Sequence, residues 1–225
     1  MSSEPDCTIL IQGPPQHRSL SRILDYRALG PVVVSCWMDD VPVVGSDVAL
    51  VATPKPEKQY YVGSANETFS YQVHSILNGL RLVKTPYVVR TRSDEYFNLV
   101  PFIKRYNRRD DKILCGNIFF KPWSTYHFHM GDHLFIARTE ILLTAYEALA
   151  GNIDRYNNQQ CAEQSSSFAI LDAFDEPWTR EAFARRFDVM DINELKPFMA
   201  RWNGIGRDYD NHFNDQGVIV SMDQL

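Results

Sequence analysis

Residues 90–96, RTRSDEY, set two arginines, a serine and two acids directly after the apolar run YVV. These residue types share one chemistry. A guanidinium is a planar fork that grips phosphate oxygens two at a time. Carboxylates are hard oxygen donors that hold a divalent cation against a diphosphate. Side chains alternate along an extended chain, so Arg90, Arg92 and Asp94 would share one side of a strand. The structural alternative is an ion pair between Arg92 and Asp94 at a sheet edge, which needs no ligand. A second concentration of chemistry lies at His127, His129, Asp132 and His133. Imidazole and carboxylate both ligate zinc, but this stretch has neither a helical H-E-x-x-H nor thiols. His74 falls near an apolar stripe and reads as a packed histidine.

These groups need a scaffold, and the hydrophobic pattern supplies one. TILIQG (8–13), PVVVSCW (31–37), DVALVA (47–52) and PYVV with its continuation read as strands that are apolar throughout. Between them, SLSRILDYRALG (19–30) reads as a helix with Ser19 as its N-cap and Gly30 as its stop. A second helix is marked by the capping box Ser64-x-x-Glu67. It carries Phe69, Val73, Ile76, Leu77 and Leu80 at helical spacing, and is expected to end near Lys84, before Thr85-Pro86. Apolar strands alternating with amphipathic helices indicate a parallel sheet covered on both faces. The second half is more mixed. KILCGNIFF and DHLFIA read as strands, residues 139–150, 159–174 and 177–187 as helices, and the tail as a polar loop ending in a short strand. Ligands of open α/β sheets bind outside the carboxyl ends of the strands. Three polar clusters fall there: Gln12-Gly13-Pro14, Trp37-Met38-Asp39-Asp40 and Arg92-Ser93-Asp94-Glu95.

Bulk properties bound the rest. A chain of 225 residues, 44% hydrophobic and 23% charged, can bury a core without staples. It suits one domain over 1–225, or one domain with a C-terminal extension. The net charge of −5 argues against a general nucleic-acid binder. No pair of the four cysteines forms C-x-x-C, so a zinc site built on them is not expected. No signal peptide or membrane-spanning run is visible, and a cytoplasmic location is the default. Peripheral membrane contact stays open.

The stretch NETFSYQVHSILNGLRLVKTPYVVRTRSDEYF (66–97) resembles the signature of the WavE-type lipopolysaccharide-synthesis glycosyltransferases. That pattern has a helix with an Asn and a later Gln, then Gly-Leu, a Lys-Thr-x-Tyr-Val strand and Arg-Ser-Asp. ILIQGP at the start, FHMGDHLFIA (128–137) and AEQ (162–164) are similar to further family stretches, in order over residues 8 to 170.

The resemblance implies a GT-A-like α/β fold: a Rossmann-type, mostly parallel central sheet flanked by helices, with a nucleotide-binding half to about residue 98 and a mixed acceptor-binding half from about 99. It implies a glycosyltransferase that moves a sugar from a nucleotide-diphosphate sugar to a glycan hydroxyl, metal-assisted by Mn2+ or Mg2+; inversion is a further expectation that it does not settle. Gln12, Gly13 and Pro14 would line the base and ribose, and Asn66, Gln72, Arg92 and Ser93 would approach the diphosphate or sugar. In such enzymes a D-x-D motif holds the metal; the aligned triplet here is Arg92-Ser93-Asp94, whose first acid is missing. Asp94, with Glu95 as alternative and a late histidine, His212, would be the metal ligands, and Arg92 could replace part of the cation's charge. Asp132 would grip sugar hydroxyls on the acceptor wall. Glu163 takes the place of the general base, with Asp132 its rival. Trp123 and Tyr126 offer flat faces to a sugar, or simply pack. Two other classes stay open: a metal-dependent hydrolase or nucleotidyltransferase, and a non-catalytic sugar-nucleotide-binding domain.

Overall fold

The computed structural model describes residues 6–13, 24–42, 44–56, 69–118, 120, 123, 127–156 and 161–195, with the backbone of 198–200 and 206–207. The strands are β1 (Cys7–Gln12), β2 (Val32–Trp37), β3 (Ala49–Thr53), β4 (Tyr87–Arg92), β5 (Glu95–Tyr96), β6 (Ile113–Gly116), β7 (Leu134–Arg138), β8 (Phe187–Met190), β9 (Phe198–Ala200) and β10 (Gly206–Arg207). The helices are α1 (Phe69–Leu80), α2 (Leu99–Tyr106), α3 (Thr139–Gly151), α4 (Ile153–Tyr156), α5 (Ala162–Ala173) and α6 (Arg180–Arg186).

Seven strands form one sheet in the order β3-β2-β1-β4-β7-β6-β8. The first four strands are parallel; β1, β2 and β4 are buried on both faces, as in a covered parallel sheet, and β3 at the edge is part-exposed. β7 enters antiparallel between β4 and β6, and β6 pairs parallel with β8. A small second sheet, β10-β9-β5, is antiparallel. This is the mostly parallel, helix-flanked α/β architecture expected, with the mixed part in the second half.

Strand alternation sorts the core into two layers. Leu10, Val33, Val88, Cys115 and Phe135 face a layer that includes residues of α1, α3, α5 and α6. Their chain neighbours Ile9, Ile11, Val34, Val89, Leu134 and Ile136 face the opposite layer, with Tyr26, Phe97 and the α2 residues Phe102 and Tyr106. Each fully buried aliphatic contributes about 1.5–3 kcal/mol. α1 lies close against the sheet because it carries Gly79 there: a Cβ at that position would stand 2.3 Å from Leu10 Cδ1 and 3.1 Å from Ser35 Cβ. The contact is fastened by Ser35 Oγ donating to the Ser75 carbonyl at 2.5 Å.

Several boundaries differ from expectation. α1 stops at Leu80 rather than near Lys84, because Leu82 and Val83 donate to the carbonyls of Gly79 and Leu80, tightening the last turn to i→i−3 bonding. Of the expected helix 19–30, residues 19–23 lie outside the described residues, and Leu24–Ala28 is a 3-10 turn. The capping box Ser64/Glu67 and most of the tail also lie outside. The segment 177–187 is helical only over α6, capped by Thr179, whose side chain accepts from the Ala182 amide. Phe187 then opens β8, a strand that the sequence pattern hid. Among the described residues no helix is long and apolar enough to cross a membrane, and all four cysteines are free.

Candidate active site

The polar cluster sits at one end of the central strands of the large sheet, where the carboxyl ends of β1 and β4 meet the start of the antiparallel β7. Register puts Gln12 beside Arg92. The ladder runs on past both strands: the Ser93 amide donates to the Gln12 carbonyl at 3.0 Å, and the Gly13 amide to the Ser35 carbonyl at 2.9 Å. Gly13 has φ +102°, and a Cβ there would stand 3.0 Å from Ser93 Oγ. Glycine is therefore required for its left-handed backbone and for the close approach of the two strand ends.

From these strand ends an unbroken polar chain crosses the site. Gln72, on α1, donates to Asp132 Oδ2. His133 faces Asp132 Oδ1 with Nε2 at 3.8 Å and Glu95 Oε1 with Nδ1 at 2.5 Å. Glu95 Oε1 lies 3.6 Å from Arg92 Nε. Arg92 then grips both oxygens of Asp94, at 2.9 Å each. Below the chain, Arg90 is buried over the Phe135 ring and donates to Gln12 Oε1 at 2.8 Å. Its Nε and Nη1 have no hydrogen-bond partner among the described residues.

The far wall is the first turn of α5. Gln164 ties that turn to the histidine loop by donating to the His127 carbonyl at 2.7 Å. Glu163, on the same turn, lies with Oε2 3.9 Å from His129 Nε2. That oxygen is buried and accepts no hydrogen bond from any described residue.

The charges divide the two proposed catalytic acids. Burial opposes ionisation of Asp132, but His133, Arg90, Gln72 and Arg92 together outweigh it and hold the carboxyl below its ordinary range. Glu163 has weaker support, from the Cys161 side chain and the charge of His133. Burial first, and then the negative charge of Asp132, push it up to about 7. Asp94 follows the Asp132 pattern: burial opposes its charge, and Arg92, aided by His133, more than compensates. Arg92 is likewise opposed by burial and held protonated by Asp94 and Glu95. It keeps 37% of its side chain exposed, so its ion pair is screened and worth up to about 1 kcal/mol.

Of the residues singled out by sequence, the structure brings together Gln12, Gly13, Gln72, Arg92, Ser93, Asp94, Glu95, Asp132 and Glu163. Pro14, Asn66, Tyr126 and His212 lie outside the described residues. Trp123 stacks on His127 and packs against the core through Phe128, which is the packing alternative. Asp94 and Glu95 do not fit a divalent cation as their side chains stand. A guanidinium already occupies both Asp94 oxygens, and Glu95 is fully buried with Oε1 bonded to His133. Arg90 and His133 complete the site without having been assigned to it. The alternation that put Arg90 on the side of Arg92 was the available signal for the first. Nothing in the sequence signalled that Cys161 would lie beside His129 and Glu163.

In open α/β sheets ligands bind outside the carboxyl ends of the strands, and this is where the chain gathers its acids and arginines. The profile of the WavE lipopolysaccharide synthesis family matches residues 8–170, well over half of the chain, and the protein belongs to that family. Membership supports a glycosyltransferase-type role. No curated protein matches the sequence. Among solved structures, the chain is similar to the apo-form glycosyltransferase GlyE of Streptococcus pneumoniae TIGR4, with 9% identity and a TM-score of 0.48 over 75% of this chain. It spans only 44% of GlyE. A putative glucose-1-phosphate thymidylyltransferase from Bacillus anthracis, solved in complex with a sucrose, has 8% identity and a TM-score of 0.48 over 86% of this chain and 89% of its own. HddC from Yersinia pseudotuberculosis has 10% identity and a TM-score of 0.34 over 61% of this chain and 78% of its own.

Proposed function

We propose that the protein is an inverting glycosyltransferase that moves a sugar from a nucleotide-diphosphate sugar to a hydroxyl of a glycan acceptor. The observation that carries this reading is the asymmetry of the two acids. Asp132 is pinned and ionised, whereas Glu163 presents a buried oxygen with no hydrogen bond beside it. A general base needs a free lone pair and a pKa near the working pH, and Glu163 meets both conditions. In the transfer step the acceptor oxygen bonds to the anomeric carbon and its proton passes to Glu163. The bond from that carbon to the diphosphate breaks, and its electron pair leaves with the diphosphate. Asp132 orients the sugar and, by its charge, keeps Glu163 basic.

The leaving diphosphate develops negative charge, and fixed positive charge at that place is the largest lever such a site has. We assign that part to Arg92, the half-buried cation of the strand-end cluster, in place of the missing first acid of a metal motif. Gln12, Gly13 and Ser93 border the nucleotide, with Pro14 and Asn66 as further candidates. Asp94, Glu95 and His212 remain the groups that a divalent cation would recruit, and Asp94 becomes a donor only when Arg92 turns from it.

The test is calorimetric titration with a panel of nucleoside diphosphates and their sugars, in EDTA and in Mn2+. One nucleotide is expected to bind in EDTA, with the affinity lowered at least tenfold in Arg92→Gln and little changed in Asp94→Asn. Binding only in Mn2+, abolished in Asp94→Asn, would return the charge-stabilising part to a metal. Failure of every nucleotide to bind would sink the sugar-nucleotide reading altogether.

A further inference from the structure

The general base of the proposed reaction has two neighbours that the reaction does not use. His129 Nε2, Cys161 Sγ and an oxygen of Glu163 all lie within 4.8 Å of one another, with the imidazole and carboxylate 3.9 Å apart. They come from two separate elements. His129 is in the loop before β7, and Cys161 and Glu163 are at the start of α5, two residues apart. Gln164, between the same elements, bonds the His127 carbonyl and holds loop and helix together. From the bond lengths usual for zinc, a tetrahedral centre places such donor atoms about 3.3–3.6 Å apart. The three groups therefore need to close by a few tenths of an ångström to about one, within the reach of side-chain rotation. The buried Glu163 Oε2 without a hydrogen bond points to the same conclusion independently, because a polar atom so placed is rare without a partner.

We propose that His129, Cys161 and Glu163 form a binding site for a borderline-soft divalent transition metal, with Zn2+ the best fit. The donor set decides the class. One thiolate, one imidazole and one carboxylate favour Zn2+ or Co2+, whereas Mg2+ and Ca2+ take oxygen donors. Three protein ligands leave a fourth position open to water. The thiol proton is released to solvent when the metal binds. Cys161 is part-exposed and gives the ion its way in, whereas Cys7, Cys36 and Cys115 are buried in the core. This site is distinct from the metal reading of Asp94 and Glu95, and its consequence is the opposite. The metal occupies the lone pair that Glu163 needs for the acceptor proton, so Zn2+ inhibits transfer. That consequence rests on the transferase reading; the binding does not.

The full chain, freed of metal by chelation, is titrated with Co2+ and followed by absorption. One Co2+ per chain is expected, with a thiolate-to-cobalt charge-transfer band in the near ultraviolet. Zn2+ should displace it, and a thousandfold excess of Mg2+ should not. Cys161→Ser should abolish the band, and His129→Ala should weaken binding at least tenfold. His127→Ala, whose ring stacks on Trp123 away from the three donors, should leave the band in place. Circular dichroism of each variant confirms folding, and Cys161→Ser alone suffices if His129→Ala fails to fold. No band in the native chain, a band that survives Cys161→Ser, or displacement by Mg2+ overturns the proposal. None of these readouts uses turnover, so failure of the metal site and failure of the transferase reading are told apart.

Discussion

At the scale of the residue, the site works by giving two similar carboxyls different surroundings. Asp132 accepts from Gln72 and lies among His133, Arg90 and Arg92; Glu163 is buried beside the negative charge of Asp132, which the Cys161 side chain and His133 offset only in part. Glu163→Gln is expected to cost about 10²–10⁴ in kcat, the usual yield of a general base, while leaving nucleotide affinity nearly unchanged. The paired measurement is steady-state kinetics with calorimetry. In chelated protein the rate should rise with pH through about 7, since the protonated carboxyl is idle as a base. Stability runs the other way. A carboxyl whose pKa is raised by folding binds its proton more tightly folded than unfolded. That contribution is complete below the ordinary glutamate range and is lost as pH climbs through about 7. Thermal unfolding from pH 5 to 8 should show the native chain losing stability relative to Glu163→Gln. Little of this was legible in the sequence. Chain order nominated both acids, but partner and burial decide a pKa, and both come from elements distant in the chain.

At the scale of the element, the loop 127–133 has to bring His129, Asp132 and His133 to the strand ends. It passes so close to β6 that a Cβ on Gly131 would stand 2.2 Å from the Gly116 carbonyl oxygen and 2.9 Å from that of Ile118. Backbone cannot yield as a side-chain tip can. Gly131→Ala should therefore cost about 1–3 kcal/mol as an overpacking change, read as a lowered urea midpoint. It should also lower kcat/KM by moving Asp132 off its Gln72 contact. Gly79→Ala on α1 provides the comparison: it presses mainly on the Leu10 side chain. It should lower stability with a smaller effect on turnover, since it lies away from the polar chain. The strands β1, β2, β4, β6 and β7 and the helices α1, α3 and α5 could be read from apolar periodicity. β8 could not, because FDVM is short and follows a helix without a turn signal. The stop of α1 at Leu80 was also hidden, because the tightened last turn depends on hydrogen bonds rather than on residue type.

At the scale of the whole molecule, stability and site share one sheet. Phe135 is fully buried in β7, faces the layer of α1, α3 and α5, and underlies the Arg90 guanidinium at 5.5 Å. Phe135→Ala should lower the free energy of unfolding by about 3–5 kcal/mol, measured by urea denaturation. It should also weaken nucleotide binding, because Arg90 loses the surface on which it lies and with it the support of Gln12. Phe135→Leu should keep most of both. Local sequence determined the strand and helix types, the parallel character of the first half and the candidacy of the strand-end residues, because side-chain periodicity and turn chemistry are local properties. Family membership was legible too, in the Gly-Leu to Arg-Ser-Asp block. Tertiary structure alone decided that β7 enters antiparallel between β4 and β6, which brings Asp132 and His133 to the end of β4. It alone decided that His133 reaches Glu95, and that Cys161 stands with His129 beside Glu163. Those outcomes are contacts between residues tens of positions apart, and a contact of that kind depends on how buried faces pack, which no local pattern encodes.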